Sequence, residues 1–185
     1  EGGTPNVVGD IRAALVMLIK DAVGPDRILA IDRDLRTRAL KAWADTPEIQ
    51  LLDRSGADAL PILSFRVLGA GGFVHHQLFT RMLSDIHGIQ VRGGCACAGP
   101  YAHQLLGIDE DGSDALFQRL SEGHEMEKPG WVRLNLSWLH SDDEVARILE
   151  GVRGLARTAL KRAADYSCDS ATARFRHKAD TRYSA

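Results

Sequence analysis

A chain of 185 residues with 44% apolar residues can build a core of its own, since a domain of this size hides about 70% of the surface its unfolded chain exposes. A formal net charge of -2, with no cluster of lysine and arginine interleaved with aromatics, argues against a nucleic-acid partner. No apolar run approaches the roughly 18 residues that span a bilayer, and no basic, apolar leader opens the chain. The expectation is a cytoplasmic protein with no membrane partner.

The chain starts Glu1-Gly2-Gly3-Thr4-Pro5, a loop and helix start, so it is expected to begin within something longer. Val8, Ile11, Leu15, Leu18, Ile19 and Ala22 then recur at helical spacing until Gly24-Pro25 stops the pattern, which predicts a first amphipathic helix. Pro25-Asp26 opens a second. It has Ile28, Ile31, Leu35, Ala39 and Ala42 on one side, Arg27, Asp34, Arg38 and Lys41 on a solvated face, and an end near Thr46-Pro47. Residues 49–52 and 61–68 are short apolar or alternating runs separated by Ser55-Gly56, the pattern of two strands in an antiparallel pair. Leu78, Phe79, Met82, Leu83 and Ile86 mark a third helix, closed by His87-Gly88, whose stripe belongs to the core.

Residues 89–91 read as a brief strand leading into Arg92-Gly93-Gly94-Cys95-Ala96-Cys97-Ala98-Gly99-Pro100, a run too rich in small residues for a regular element. A short helix over 101–106, an acidic turn over 109–112 and a helix over 113–121 follow. Residues 131–137 alternate Val132, Leu134 and Leu136 against Arg133 and Asn135, as a half-buried strand with one polar face does. Ser141 and Glu144 form a capping box for a last long helix carried by Val145, Ile148, Leu149, Val152 and Leu155. Past Tyr166 the chain turns polar and basic at Arg174, Arg176, Lys178 and Arg182, so residues 167–185 are expected to be a loose tail.

The glycine-rich run carries the chemistry. Cys95, Cys97 and Cys168 are an odd, sparse set, and two of them lie too close in sequence to staple distant segments. Arg92 precedes Cys97 in a loop whose glycines let backbone approach a ligand, and a nearby guanidinium favours the reactive thiolate. A nucleophilic thiol and a merely buried one are both open readings of Cys97, because free cysteines pack well in cores. Cys95 and Cys97 with His75, His76 or His103 would make a poor metal site, since no second cysteine pair and no suitably spaced histidine pair accompanies them. His75-His76 begins a helix and reads as an exposed or capping pair. Arg133, on the polar side of an apolar strand, suits a bidentate grip on a carboxylate, although an ordinary salt bridge would place it there as well.

Three segments resemble one family in order along the chain. Glu1-Gly2-Gly3-Thr4-Pro5-Asn6 is similar to a segment of class V aminotransferase-like enzymes of fold-type I, which use pyridoxal phosphate. The run from Arg92 through Gly94 and Cys97 to Pro100 resembles the active loop of cysteine desulfurases and selenocysteine lyases. Gly130-Trp131-Val132-Arg133-Leu134-Asn135-Leu136-Ser137 resembles the family's closing strand.

The resemblance implies an α/β fold, a small antiparallel or mixed sheet covered by helices. Residues 1–24 would be a connecting helix from a large cofactor-binding domain, and residues 25–166 the small C-terminal domain. It further implies that Cys97 accepts sulfur from L-cysteine as a persulfide, giving alanine. Arg133 would hold the substrate carboxylate, Arg92 would help hold cysteine and substrate, and Thr4 would reach the cofactor phosphate in a homodimer. A sulfur-acceptor protein is a further implied partner. Lys20, Lys41, Lys128, Lys161 and Lys178 all lie outside the family's lysine motif, so the Schiff-base lysine is expected in the N-terminal large domain and this chain alone is expected to be inactive. The C-x-C pattern also resembles the loop of molybdenum-cofactor sulfurases. A class V aminotransferase, lyase or epimerase, or a non-catalytic fragment acting as a structural or a thiol- or metal-carrying domain, are the alternatives.

Overall fold

The computed structural model describes residues 2–52, 58–95 and 99–180. The Ser55-Gly56 turn and Cys97 lie outside these residues. Two long helices come first, α1 (Val7–Val23) and α2 (Pro25–Trp43), broken at Gly24, with Pro25 in the first turn of α2 where its missing N–H has no intrahelical acceptor. The strands β1 (Ile49–Leu51), β2 (Ile62–Gly69) and β3 (Gly72–Phe73) follow. Then come helix α3 (His76–His87), strand β4 (Arg92–Gly94), and helices α4 (Gly99–Leu106) and α5 (Glu110–Ser121). After a single 3-10 turn at Glu125–Glu127, β5 (Trp131–Asn135) leads to α6 (Asp142–Ala163) and the strands β6 (Tyr166–Asp169) and β7 (Arg174–His177). The main sheet runs β1-β2-β5-β4, with β3 paired to β2 and every pairing antiparallel.

Alternation along the strands decides which face is covered. Leu63, Phe65 and Val67 of β2 and Val132 and Leu134 of β5 are buried, and they meet Phe79, Met82 and Leu83 of α3, Val145, Val152 and Leu155 of α6, and Leu35, Ala39 and Trp43 of α2. Each fully buried side chain of this size contributes about 1.5–3 kcal/mol relative to exposure. The Trp43 and Phe65 rings lie 5.3 Å apart and Phe65 meets Phe79 edge-on at 6.1 Å, while Trp43 Nε1–H donates to the Leu149 carbonyl at 3.1 Å. The capping box of α6 is present with both arms, Ser141 accepting from the Glu144 amide and Glu144 from the Ser141 amide.

Three local expectations are corrected. Residues 89–91 do not pair: the Ile89 amide donates to the Leu83 carbonyl and helps cap α3 beside the left-handed Gly88, so the ladder starts at Arg92. The acidic turn at 109–112 is the start of α5, because Asp109 accepts from the Gly112 amide at 2.9 Å and Glu110 and Asp111 suit the positive end of the helix. Residues 167–177, expected as part of a loose tail, form the β6–β7 hairpin with Tyr166. Tyr166 is buried with its hydroxyl 3.2 Å from Asp85 Oδ2, and Phe175 packs on the core with its ring 5.2 Å from that of His75, while Arg174 and Arg176 take the alternate positions. Helix α1 buries none of its residues: its apolar side, Ile11 and Leu15 included, faces open space.

Candidate functional site

The helices cover one face of the sheet, and the polar alternates of the strands form the other. Ladder register sets three of them in a row: Arg92 of β4 is opposite Arg133 of β5, and Arg133 is opposite Ser64 of β2. Like charges directly opposite in a ladder are unfavourable on their own. Arg133 is half-buried in a cavity of about 410 Å3 that it lines with Arg36, Ser64, Tyr101, Leu105 and Trp131. Arg36 donates weakly from α2 to the carbonyls of Leu60 and Ile62, at 3.4 and 3.5 Å, which brings its guanidinium to the rim.

The glycine-rich run leaves the sheet beside this cavity. Gly94, with φ +121, is opposite Trp131, two residues from Arg133, which is about 7 Å along a strand. Such a φ is closed to most side chains, and it turns the chain out of β4 into the half-buried Cys95. A Cβ on Gly130 would stand 2.7 Å from Gly94 Cα and 2.7 Å from His76 Cε1, so strand β5 enters pressed against the base of the cysteine run and the His76 ring. His75 caps α3 as expected, accepting from the Gln77 amide at 3.2 Å, but His76 is buried, stacked on His75 at 4.4 Å between ring centres. Burial first, and then the charge of His75, push the His76 pKa down to about 4, so the ring is neutral at ordinary pH.

Of the residues singled out in the sequence, Arg92 and Arg133 are brought together, Cys97 lies outside the described residues, and Thr4 is exposed ahead of α1 and does not line the Arg133 cavity. Cys168 sits exposed on the hairpin with Sγ 3.2 Å from Met126 Sδ, and burial and then Asp169 raise its thiol pKa, which disfavours the reactive thiolate. Among the described residues no group of three or more His, Cys, Asp or Glu could hold a metal, and no helix is long and apolar enough to cross a membrane. Sequence reasoning missed Ser64 and Arg36. Ser64 was legible as the polar alternate between Leu63 and Phe65, whereas nothing in the periodicity of α2 separates Arg36 from its other charges.

Residues 1–147 match the family model described as Aminotransferase class-V. The chain belongs to that family. Members use pyridoxal phosphate, and the similar solved structures agree with the fold-type I architecture. One is an apo cysteine desulfurase from Thermococcus onnurineus NA1, at 26% identity and a TM-score of 0.63, covering 85% of this chain and 33% of that one. A second is the cysteine desulfurase CsdA from Escherichia coli, at 24% identity and a TM-score of 0.59, covering 86% and 32%, and it supports the fold alone. No curated protein matches. The chain thus spans about a third of the length of these structures.

Whether these residues could hold the family's cofactor turns on lysine. No lysine lines the Arg133 cavity: Lys20, Lys41 and Lys161 are exposed on helices, Lys128 pairs with Glu125 at 3.6 Å and Lys178 donates to the Ala164 carbonyl at 2.6 Å. The described residues therefore do not fit an anchored pyridoxal phosphate. What they present is a pair of arginines, Arg92 and Arg133, near Cys95.

Proposed function

We propose that this chain is the substrate-gripping and sulfur-accepting part of a cysteine desulfurase-like enzyme that takes sulfur from L-cysteine and leaves alanine. The observation that carries the reading is the Arg92–Arg133 pair, opposite each other on the open face of the sheet and next to the exit of the cysteine run. Arg133 presents a planar fork to the substrate carboxylate. Arg92, one strand away, sits at the base of the run that carries Cys97 and is assigned to favour its thiolate. The sequence Cys97 is followed two residues later by the start of α4, and a helix N-terminus also favours a neighbouring thiolate.

The Cys97 thiolate accepts the substrate sulfur, forming a persulfide, while the carbon left behind takes up a proton and becomes alanine. Stabilising that carbon is the task of the family's cofactor, whose lysine belongs to the larger domain that this reading joins to residue 1. Thr4 and a homodimer partner complete the cofactor site in the same reading. A class V transaminase or lyase would keep Arg133 and dispense with Cys97.

The test uses the enzyme with its lysine-bearing domain. Arg133→Ala is expected to raise KM for L-cysteine about ten- to hundredfold, the loss of one charge-assisted pair, while Cys97→Ala abolishes sulfur release and leaves substrate binding intact. Full sulfur release by Cys97→Ala would overturn the assignment of the thiol.

A further inference from the structure

On the other side of Trp131 lies a second cavity, about 260 Å3 in volume, that the proposed reaction does not use. Phe73, Val74, Leu106, Ile108 and Pro129 give it an apolar wall, and Arg66, Lys128, His75, His76 and Trp131 also line it. The Trp131 indole, 3% exposed, forms part of the wall of this cavity and of the Arg133 cavity. Arg66 is a half-buried cation with no carboxylate beside it among the described residues: Nε and Nη2 donate to Gln50 Oε1 at 3.0 and 2.7 Å, and the guanidinium lies 3.8 Å over the Phe73 ring. Burial lowers its pKa, with no acidic group offsetting that effect.

The two are neighbours by register. Phe65 of β2 is opposite Val132 of β5, so Arg66 and Trp131 are the next positions along the same two strands. Lys128 adds a second cation at the exposed rim, where its pairing to Glu125 at 3.6 Å is loose and solvated. Among the described residues no Asp or Glu lines the cavity. A half-buried cation and a loosely paired one, set beside an apolar wall, select a ligand that brings negative charge on an apolar body.

We propose that the cavity between Arg66, Lys128 and Trp131 binds a small organic carboxylate with a flat apolar body. The carboxylate takes the Arg66 guanidinium with Lys128 at the rim, and the body lies against Trp131, Leu106, Ile108 and Val74. This site is separate from the Arg133 cavity and does not rest on the desulfurase reading.

The probe is sodium benzoate, added to the isotopically labelled chain while the three indole N–H resonances are followed, each assigned through its own backbone. The Trp131 resonance is expected to move saturably in the millimolar range, and that of Trp43 to stay, because its N–H is held by Leu149. Benzyl alcohol and matched sodium chloride should leave Trp131 unmoved. Arg66→Gln should weaken benzoate about tenfold or more, and Lys128→Ala, at an exposed position, by a few-fold. No saturable shift with benzoate, an equal shift with benzyl alcohol, or unchanged affinity in both variants would overturn the proposal.

Discussion

Gly130 and His76 together show how single residues hold the base of the cysteine run. Gly130 has no room for a methyl group, since the atoms in the way include the Gly94 backbone, which cannot rotate aside. Gly130→Ala is expected to cost about 1–3 kcal/mol, as overpacking does, and denaturant unfolding should reveal it as a lower midpoint at unchanged slope. His76 contributes a pH dependence with a definite sign. Its folded pKa of about 4 is below the unfolded value, so the unfolded chain binds the proton more readily. Stability from the neutral ring is then present above about pH 6.5 and falls as the pH drops toward 4. Between pH 7 and 4.5 that loss is on the order of 2 kcal/mol. Unfolding of a His76→Gln variant at the two pH values should show a smaller drop than the parent; an equal drop would place the proton elsewhere. The sequence marked these histidines only as a helix start, because burial of His76 depends on β5 and on the hairpin, elements remote in the chain.

At the scale of elements, helix α1 and helix α6 are opposites. Both read as amphipathic helices, but α6 buries Val145, Ile148, Leu149, Val152 and Leu155 while α1 buries nothing and touches little beyond α2. Periodicity says that a face is apolar, not that something covers it. Hydrogen exchange should therefore find the α1 amides exchanging orders of magnitude faster than those of α6, as expected where few apolar contacts hold an element; equal protection would mean that α1 is packed, by self-association or otherwise. The local rules worked where one element decides its own end: the Gly24-Pro25 break, the α3 stop at Gly88 and the Ser141–Glu144 box are all where the residues put them. They failed where tertiary contacts decide. Strand β4 starts late because Ile89 is drawn into the α3 cap, and the hairpin forms because Tyr166 and Phe175 find Asp85 and His75, which lie far off in sequence.

For the whole molecule, the arginine row was legible only in part. Arg133 stood out by its polar place in an apolar strand and Arg92 by its motif, but that they are opposite each other follows from the β4–β5 register, which no single segment specifies. The same register sets Trp131 between two cavities with different equipment, one lined by Arg133 and Arg36, the other by Arg66 and Lys128. The chain covers a third of the length of the desulfurases it resembles, and the proposed chemistry joins its arginines and its thiol to a cofactor anchored elsewhere. The most direct measurement is peptide mass spectrometry of the enzyme with its lysine-bearing domain after brief exposure to L-cysteine. One extra sulfur atom on Cys97, absent in Arg133→Ala at the same low substrate concentration, is the predicted result. A persulfide found on Cys95 or Cys168 instead, or none on any cysteine while alanine and sulfide accumulate, would contradict it.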